Sequence, residues 1–204
     1  MHDPSMRKTV SGRRRPPPIS RRSMLAGGLA AGAALMTSGD AALTWSRVAA
    51  GERAEGLSDA CCAFIDIFCE TLIPDTDTPG ARSANVPKFL SLFVASAPGD
   101  SVAAFEANVA LICADLEKRA GAPFQQLAPK DREAVLAAFD ADAIDKTAEQ
   151  PYYASYVSLR VLTVLGYYTS HEGGAEELRY ELVPGRHEAD IPLDPAYRAF
   201  SNAS

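Results

Sequence analysis

The sequence predicts an all-α domain of about five helices, followed by a long irregular C-terminal arm. Three observations carry that prediction. Apolar residues recur at three-to-four spacing in five separate stretches, proline and glycine fall between those stretches, and no segment shows the sustained period-two alternation of a half-buried strand.

Residues 58–73, SDACCAFIDIFCETLI, open with Ser58 as a helix N-cap and place Cys61, Ile65, Phe68 and Leu72 on one face, with Asp66 and Glu70 off it. Pro74 stops this helix, and PDTDTPGAR is too dense in turn formers to continue regular structure. Pro87 suits the first turn of a second helix, which carries Phe89, Leu90, Leu92 and Phe93 until Pro98 and Gly99 break it. Asp100 is placed to cap a third, whose Val102, Phe105, Val109, Ile112 and Leu116 share a side. Lys118 and Arg119 suit the negative end of its dipole, and Gly121 lies just beyond. Pro129 opens a fourth, PKDREAVLAAF, with Val135, Leu136 and Phe139 inward. The fifth runs from about Pro151 to Tyr168. It is apolar all round, with Arg160 its one charge, as befits the centre of a bundle or a helix partly covered by another chain. After Gly166 the pattern dissolves, and only residues 175–181 suggest a further helical piece. An irregular arm of roughly 30 residues is uncommon in a domain that works alone, and such arms usually lie on something.

Residues 1–50 are of another kind, read as an export signal and linker ahead of a domain spanning 51–204. A basic region from Arg7 to Arg22 precedes a weakly apolar run from Met24 to Met36, then small residues suited to a peptidase. The run is about 13 residues, whereas roughly 20 are needed to cross the hydrocarbon core as a helix. Arg21 and Arg22, preceded by Ser20 and followed by Met24 and Leu25, resemble the twin-arginine motif, with Met24 where Phe is usual. That route carries proteins already folded. Val48-Ala49-Ala50 is the expected cleavage site, with Asp40-Ala41-Ala42 second.

Of 204 residues, 20 are Lys or Arg and 26 Asp or Glu. Residues 1–50 hold eight of the basic and two of the acidic ones, leaving 12 against 24 in the remaining 154 or so. A surface that acidic repels nucleic acid and anionic lipid at long range, and favours solubility or a basic protein partner. Cys61, Cys62, Cys69 and Cys113 read as small buried hydrophobes; one bridge from the first cluster to Cys113 is also feasible. There is no dinucleotide fingerprint, Walker loop, nucleophile elbow or haem-attachment motif. Asp75-Thr76-Asp77 starts like a calcium loop, with Gly80 at the sixth position, but the twelfth is Val86 where a bidentate Glu is required. His171 and His187 sit in polar, glycine-flanked segments where an exposed or interface histidine is the usual finding.

Three stretches resemble a single family: LIPDTDTPGARSANVPKF at residues 72–89, GYYTSHEGG at 166–174 and LRYELVPGRH at 178–187. With the paired arginines, they resemble the small subunit, subunit 3, of the gluconate 2-dehydrogenase type of bacterial membrane-associated dehydrogenase, over roughly residues 58–188. The resemblance implies a subunit that is no enzyme by itself and holds no cofactor or metal. A large flavoprotein of the glucose–methanol–choline (GMC) type would carry FAD and oxidise a sugar, sugar acid or related alcohol, and a cytochrome c subunit with haem c often takes the electrons. The small subunit would escort the flavoprotein through the twin-arginine translocase into the periplasm, where the complex associates with the inner membrane. It also implies a partner interface at or near Pro74, Asp75, Thr76, Asp77, Pro79 and Gly80 and at Gly166, Tyr167, Tyr168, Thr169 and His171; the same turn could instead merely join two helices at a fixed angle. Two other readings stay open: a periplasmic helical module that binds a small molecule, and a small enzyme using Asp75, Asp77 and His171.

Overall fold

The computed structural model describes residues 38–97, 99–145, 150–180 and 198–201. The paired Arg21 and Arg22, and His187 in the arm, lie outside the described residues. The α-helices are α1 (Ser38–Ala49), α2 (Asp59–Leu72), α3 (Val86–Ala95), α4 (Gly99–Ala120), α5 (Pro129–Asp145) and α6 (Tyr153–Tyr168). A 3₁₀ turn at Phe124–Gln126 leads into α5, and a π-helical turn, Glu172–Glu177, follows α6. Arg179–Tyr180 and Phe200–Ser201 then pair as two-residue parallel strands.

The all-α reading holds, and several boundaries shift. Ser58 caps α2, its hydroxyl accepting from the Cys61 N–H at 3.3 Å, while Glu106 on α4 accepts the Ser58 N–H at 2.6 Å. One residue thus starts a helix and ties it to its neighbour. Asp100 lies inside the first turn of α4, which begins at Gly99, so it favours the positive helix end as a charge rather than as the cap. Gly121 ends α4 in the left-handed conformation, φ +73°. Helix α5 runs past Phe139 to Asp145, with Ala143 buried in that added turn. Of the piece 175–181, the described residues 175–180 are not an α-helix: the glycines at 173 and 174 permit the wider turn instead, and Arg179 pairs as strand.

The core is an aromatic lattice across four elements. Phe64 and Phe68 of α2 stack at 5.8 Å, Phe68 meets Tyr156 of α6 edge-on at 5.9 Å, and Tyr156 meets Phe139 of α5 at 4.7 Å. Phe124 closes the other side of Phe64 at 6.1 Å. Such pairs contribute about 0.5–1.5 kcal/mol each beyond the area they bury. The Tyr156 hydroxyl donates to Asp140 at 2.9 Å, and burial pushes the phenol above its ordinary range, so it stays a donor. As the apolar pattern implies, α6 is central: it packs on α3, α4 and α5 and buries Leu159, Leu162 and Thr163. Phe68→Ala removes the ring shared by α2 and α6 and is expected to lower stability by about 3–5 kcal/mol, read from urea unfolding.

Candidate functional site

The loop after α2 exists because Pro74 denies the helix its next N–H, and a single carboxylate then organises it. Asp75 accepts the Gly80 N–H at 2.5 Å through one oxygen and the Ser83 hydroxyl at 3.0 Å through the other. Those bonds, the Gly80 one foremost, hold the Asp75 carboxyl below the usual carboxylate range. The Ala81 N–H reaches back to the Ile73 carbonyl at 2.8 Å, closing the loop at its base. Gly80 is obligatory here, since a Cβ would lie 2.5 Å from the Ile73 oxygen. Asn85, at φ +59°, turns the chain into α3 in the left-handed conformation that asparagine tolerates.

The end of α6 folds back onto this loop. Tyr167 donates to the Pro79 carbonyl at 2.7 Å, and Thr78 donates to Glu177 at 2.5 Å. Burial, with Glu177 adding to it, raises the Tyr167 phenol above its ordinary range. Glu177 is brought there by the π-turn, in which the Ser170 hydroxyl donates to the Tyr167 carbonyl at 2.6 Å and accepts the Gly173 N–H at 3.1 Å. A Cβ on Gly173 would stand 2.1 Å from the Tyr167 oxygen. Gly166 serves close approach: its Cβ would meet Phe89 of α3 at 3.0 Å. The two motif stretches, far apart in sequence, therefore form one structural unit.

The predicted interface residues divide by direction. Gly80, Gly166 and Tyr167 are interior; Pro79 and Thr169 are half-buried, the latter accepting the Trp45 indole N–H at 3.0 Å. These five make contacts within the chain that join the loop after α2, the end of α6 and their neighbours. Pro74, Asp75, Thr76, Asp77, Tyr168 and His171 face outward. Tyr168 is 37% exposed and continues a stripe with Val161 and Val164 at 44% and 36%, one face of α6 at helical spacing. Of the three residues of the small-enzyme alternative, Asp75 holds Gly80 and Ser83, Asp77 accepts from Thr76, and His171 lies 3.4 Å from Glu176. Among the described residues no three His, Cys, Asp or Glu side chains are grouped to hold a metal ion, and no helix is long and apolar enough to cross a membrane. The four cysteines are free thiols, Cys113 included; burial pushes Cys61 and Cys69 up to about 12 and Cys113 to about 11.

Sequence reasoning missed Glu177, Ser170 and, above all, Trp45. The signal for Trp45 was present: Ala41, Thr44, Trp45 and Val48 repeat at the spacing of an inward helix face, inside a stretch assigned to the leader. Asp75 generates a pH prediction. Its carboxyl titrates lower folded than unfolded, so its contribution is complete above the unfolded value, near 3.8, and is lost as pH falls through the folded one. Asp75→Asn is expected to lower the melting temperature at neutral pH and to flatten the acid limb below about pH 4, read by a calorimetric pH series.

The family model described as gluconate 2-dehydrogenase subunit 3 matches residues 60–185, from the first turn of α2 through the π-turn and beyond, leaving α1 outside. No curated protein and no solved structure matched. The match covers more than half of the 204 residues and contains both motif stretches that Tyr167 joins, so the chain belongs to the gluconate 2-dehydrogenase subunit 3 family.

Proposed function

We propose that this chain is the non-catalytic small subunit of a periplasmic dehydrogenase complex, docked on a FAD-dependent large subunit of the GMC type. It escorts that flavoprotein through the twin-arginine translocase and keeps it folded, and oxidation of a sugar or sugar acid takes place on the partner. Where a cytochrome c subunit is present it carries the electrons onward, and the complex sits at the inner membrane. Family membership supports a place in a dehydrogenase complex. The observation that carries the docking reading is the outward stripe of Val161, Val164 and Tyr168 on the central helix, α6. An aromatic with two side-chain torsions, flanked by aliphatics, suits an interface anchor at low entropic cost.

Affinity purification of the tagged full chain from its native host tests this reading. The expected result is a stoichiometric yellow partner of flavoprotein mass, with sugar-acid oxidation by the complex and none by the small chain alone. A colourless lone chain recovered under gentle conditions would overturn it.

Adjacent tyrosines separate docking from folding. Tyr168→Ala is expected to weaken co-purification at least tenfold while moving the melting temperature by no more than about 2–4 °C. Tyr167→Ala, which removes a buried ring and its bond to Pro79, is expected to destabilise the subunit itself by about 3–5 kcal/mol.

A further inference from the structure

Helix α1 lies outside the family-matched segment, yet it is seated on it. Ala41 and Thr44 are buried, and Trp45 stacks on Phe89 of α3 at 4.8 Å while its indole N–H reaches Thr169 at the end of α6. Lys88 donates to the Val48 carbonyl at 3.0 Å, and Arg47 donates to Ser96 at 2.5 Å and pairs with Glu52 at 2.7 Å. Five residues of a stretch that reads as leader thus hold α3 and the turn after α6.

The bond best suited by sequence to a signal peptidase, after Ala50, lies in the hydrogen-bonded turn that closes this helix. The Ala50 N–H bonds to the Ser46 carbonyl at 2.9 Å, Gly51 to Val48 at 3.1 Å and Glu52 to Arg47 at 3.1 Å. Peptidases take their substrates extended, so cutting there requires this turn to open. A chain that folds before it crosses the membrane meets the peptidase with α1 already docked, and cleavage then proceeds only from the rare opened state.

We propose that α1 is retained as a strap of the mature subunit: the signal ends N-terminal to Ala41, and the bond after Ala50 is not processed. The inference rests on the export reading given above. A cut after Ala50 would strip Trp45 from Phe89 and leave Lys88 and Thr169 without these partners, baring the apolar face where Gly166 lets α6 approach α3.

The test is the intact mass and N-terminal sequence of the full chain recovered from the periplasm. A mature N-terminus at or before Ala41, or an exported chain left uncut, is the expected result; a start at Gly51 or Leu43 overturns the proposal. A chain found wholly in the cytoplasm would overturn the export reading instead, and the strap is then decided by elastase, which cuts after small residues. Digestion of the full chain between Ala42 and Gly51 is expected to be slower by about tenfold or more than in Trp45→Ala. Equal rates in the two proteins overturn the strap.

Discussion

The hydrogen bond from the Tyr167 hydroxyl to the Pro79 carbonyl spans 88 positions of sequence, and the rest of the architecture is arranged around it. It sets the distance between the end of α2 and the end of α6, the two helices that share the aromatic core. Once that distance is set, the other close contacts follow. Gly166 must lack a side chain because α6 lies against Phe89; Gly80 must lack one because the loop folds onto the Ile73 carbonyl; Gly173 must lack one because the chain turns back within reach of Tyr167. Backbone carbonyls withdrawn from water need partners, and the buried Tyr167 phenol supplies one.

This division between inside and outside sharpens what motif residues mean. A stretch such as GYYTSHEGG invites a functional reading for every position, yet neighbouring residues in it do opposite things. Tyr167 faces in and braces a loop, while Tyr168 faces out and extends an apolar stripe. The same holds in the loop after α2, where the Asp75 carboxylate is consumed by the Gly80 N–H and the Ser83 hydroxyl while Asp77, two positions on, accepts from Thr76. Helical periodicity explains the alternation in α6, and turn closure explains it in the loop. Neither is a property of residue type.

The helices of the bundle were legible in the sequence because each carries its own signals: a cap at Ser58, a stop at Pro74, a proline start at Pro129 and a left-handed glycine at Gly121. What was not legible depended on other elements. The spacing of Ala41, Thr44, Trp45 and Val48 has the right period for a buried face, but twelve residues beside a stretch that reads as leader give no indication of what they would bury it against; the answer, Phe89 and Thr169, lies in α3 and at the end of α6. The π-turn was hidden for a similar reason. Two adjacent glycines permit many conformations, and the one adopted is selected by the Ser170 hydroxyl and by the demand of Thr78 for an acceptor. The joining of the two motif stretches was equally invisible, since no local pattern marks a phenol that bonds to a distant carbonyl.

The buried thiols have a consequence for the chemistry of the chain over its lifetime. Disulfide exchange and oxidation run through the thiolate, and thiols pushed up to about 12 by burial, as Cys61 and Cys69 are, stay protonated at neutral pH. Those sulfurs are slow to react with oxidants or with each other once the core has closed around them, and fast only while the chain is open. The order of events therefore governs their fate: folding first and oxidation second leaves them reduced, whereas the reverse order exposes them to cross-linking. Cys61 and Cys69 are thus chemically protected by the packing they help to make.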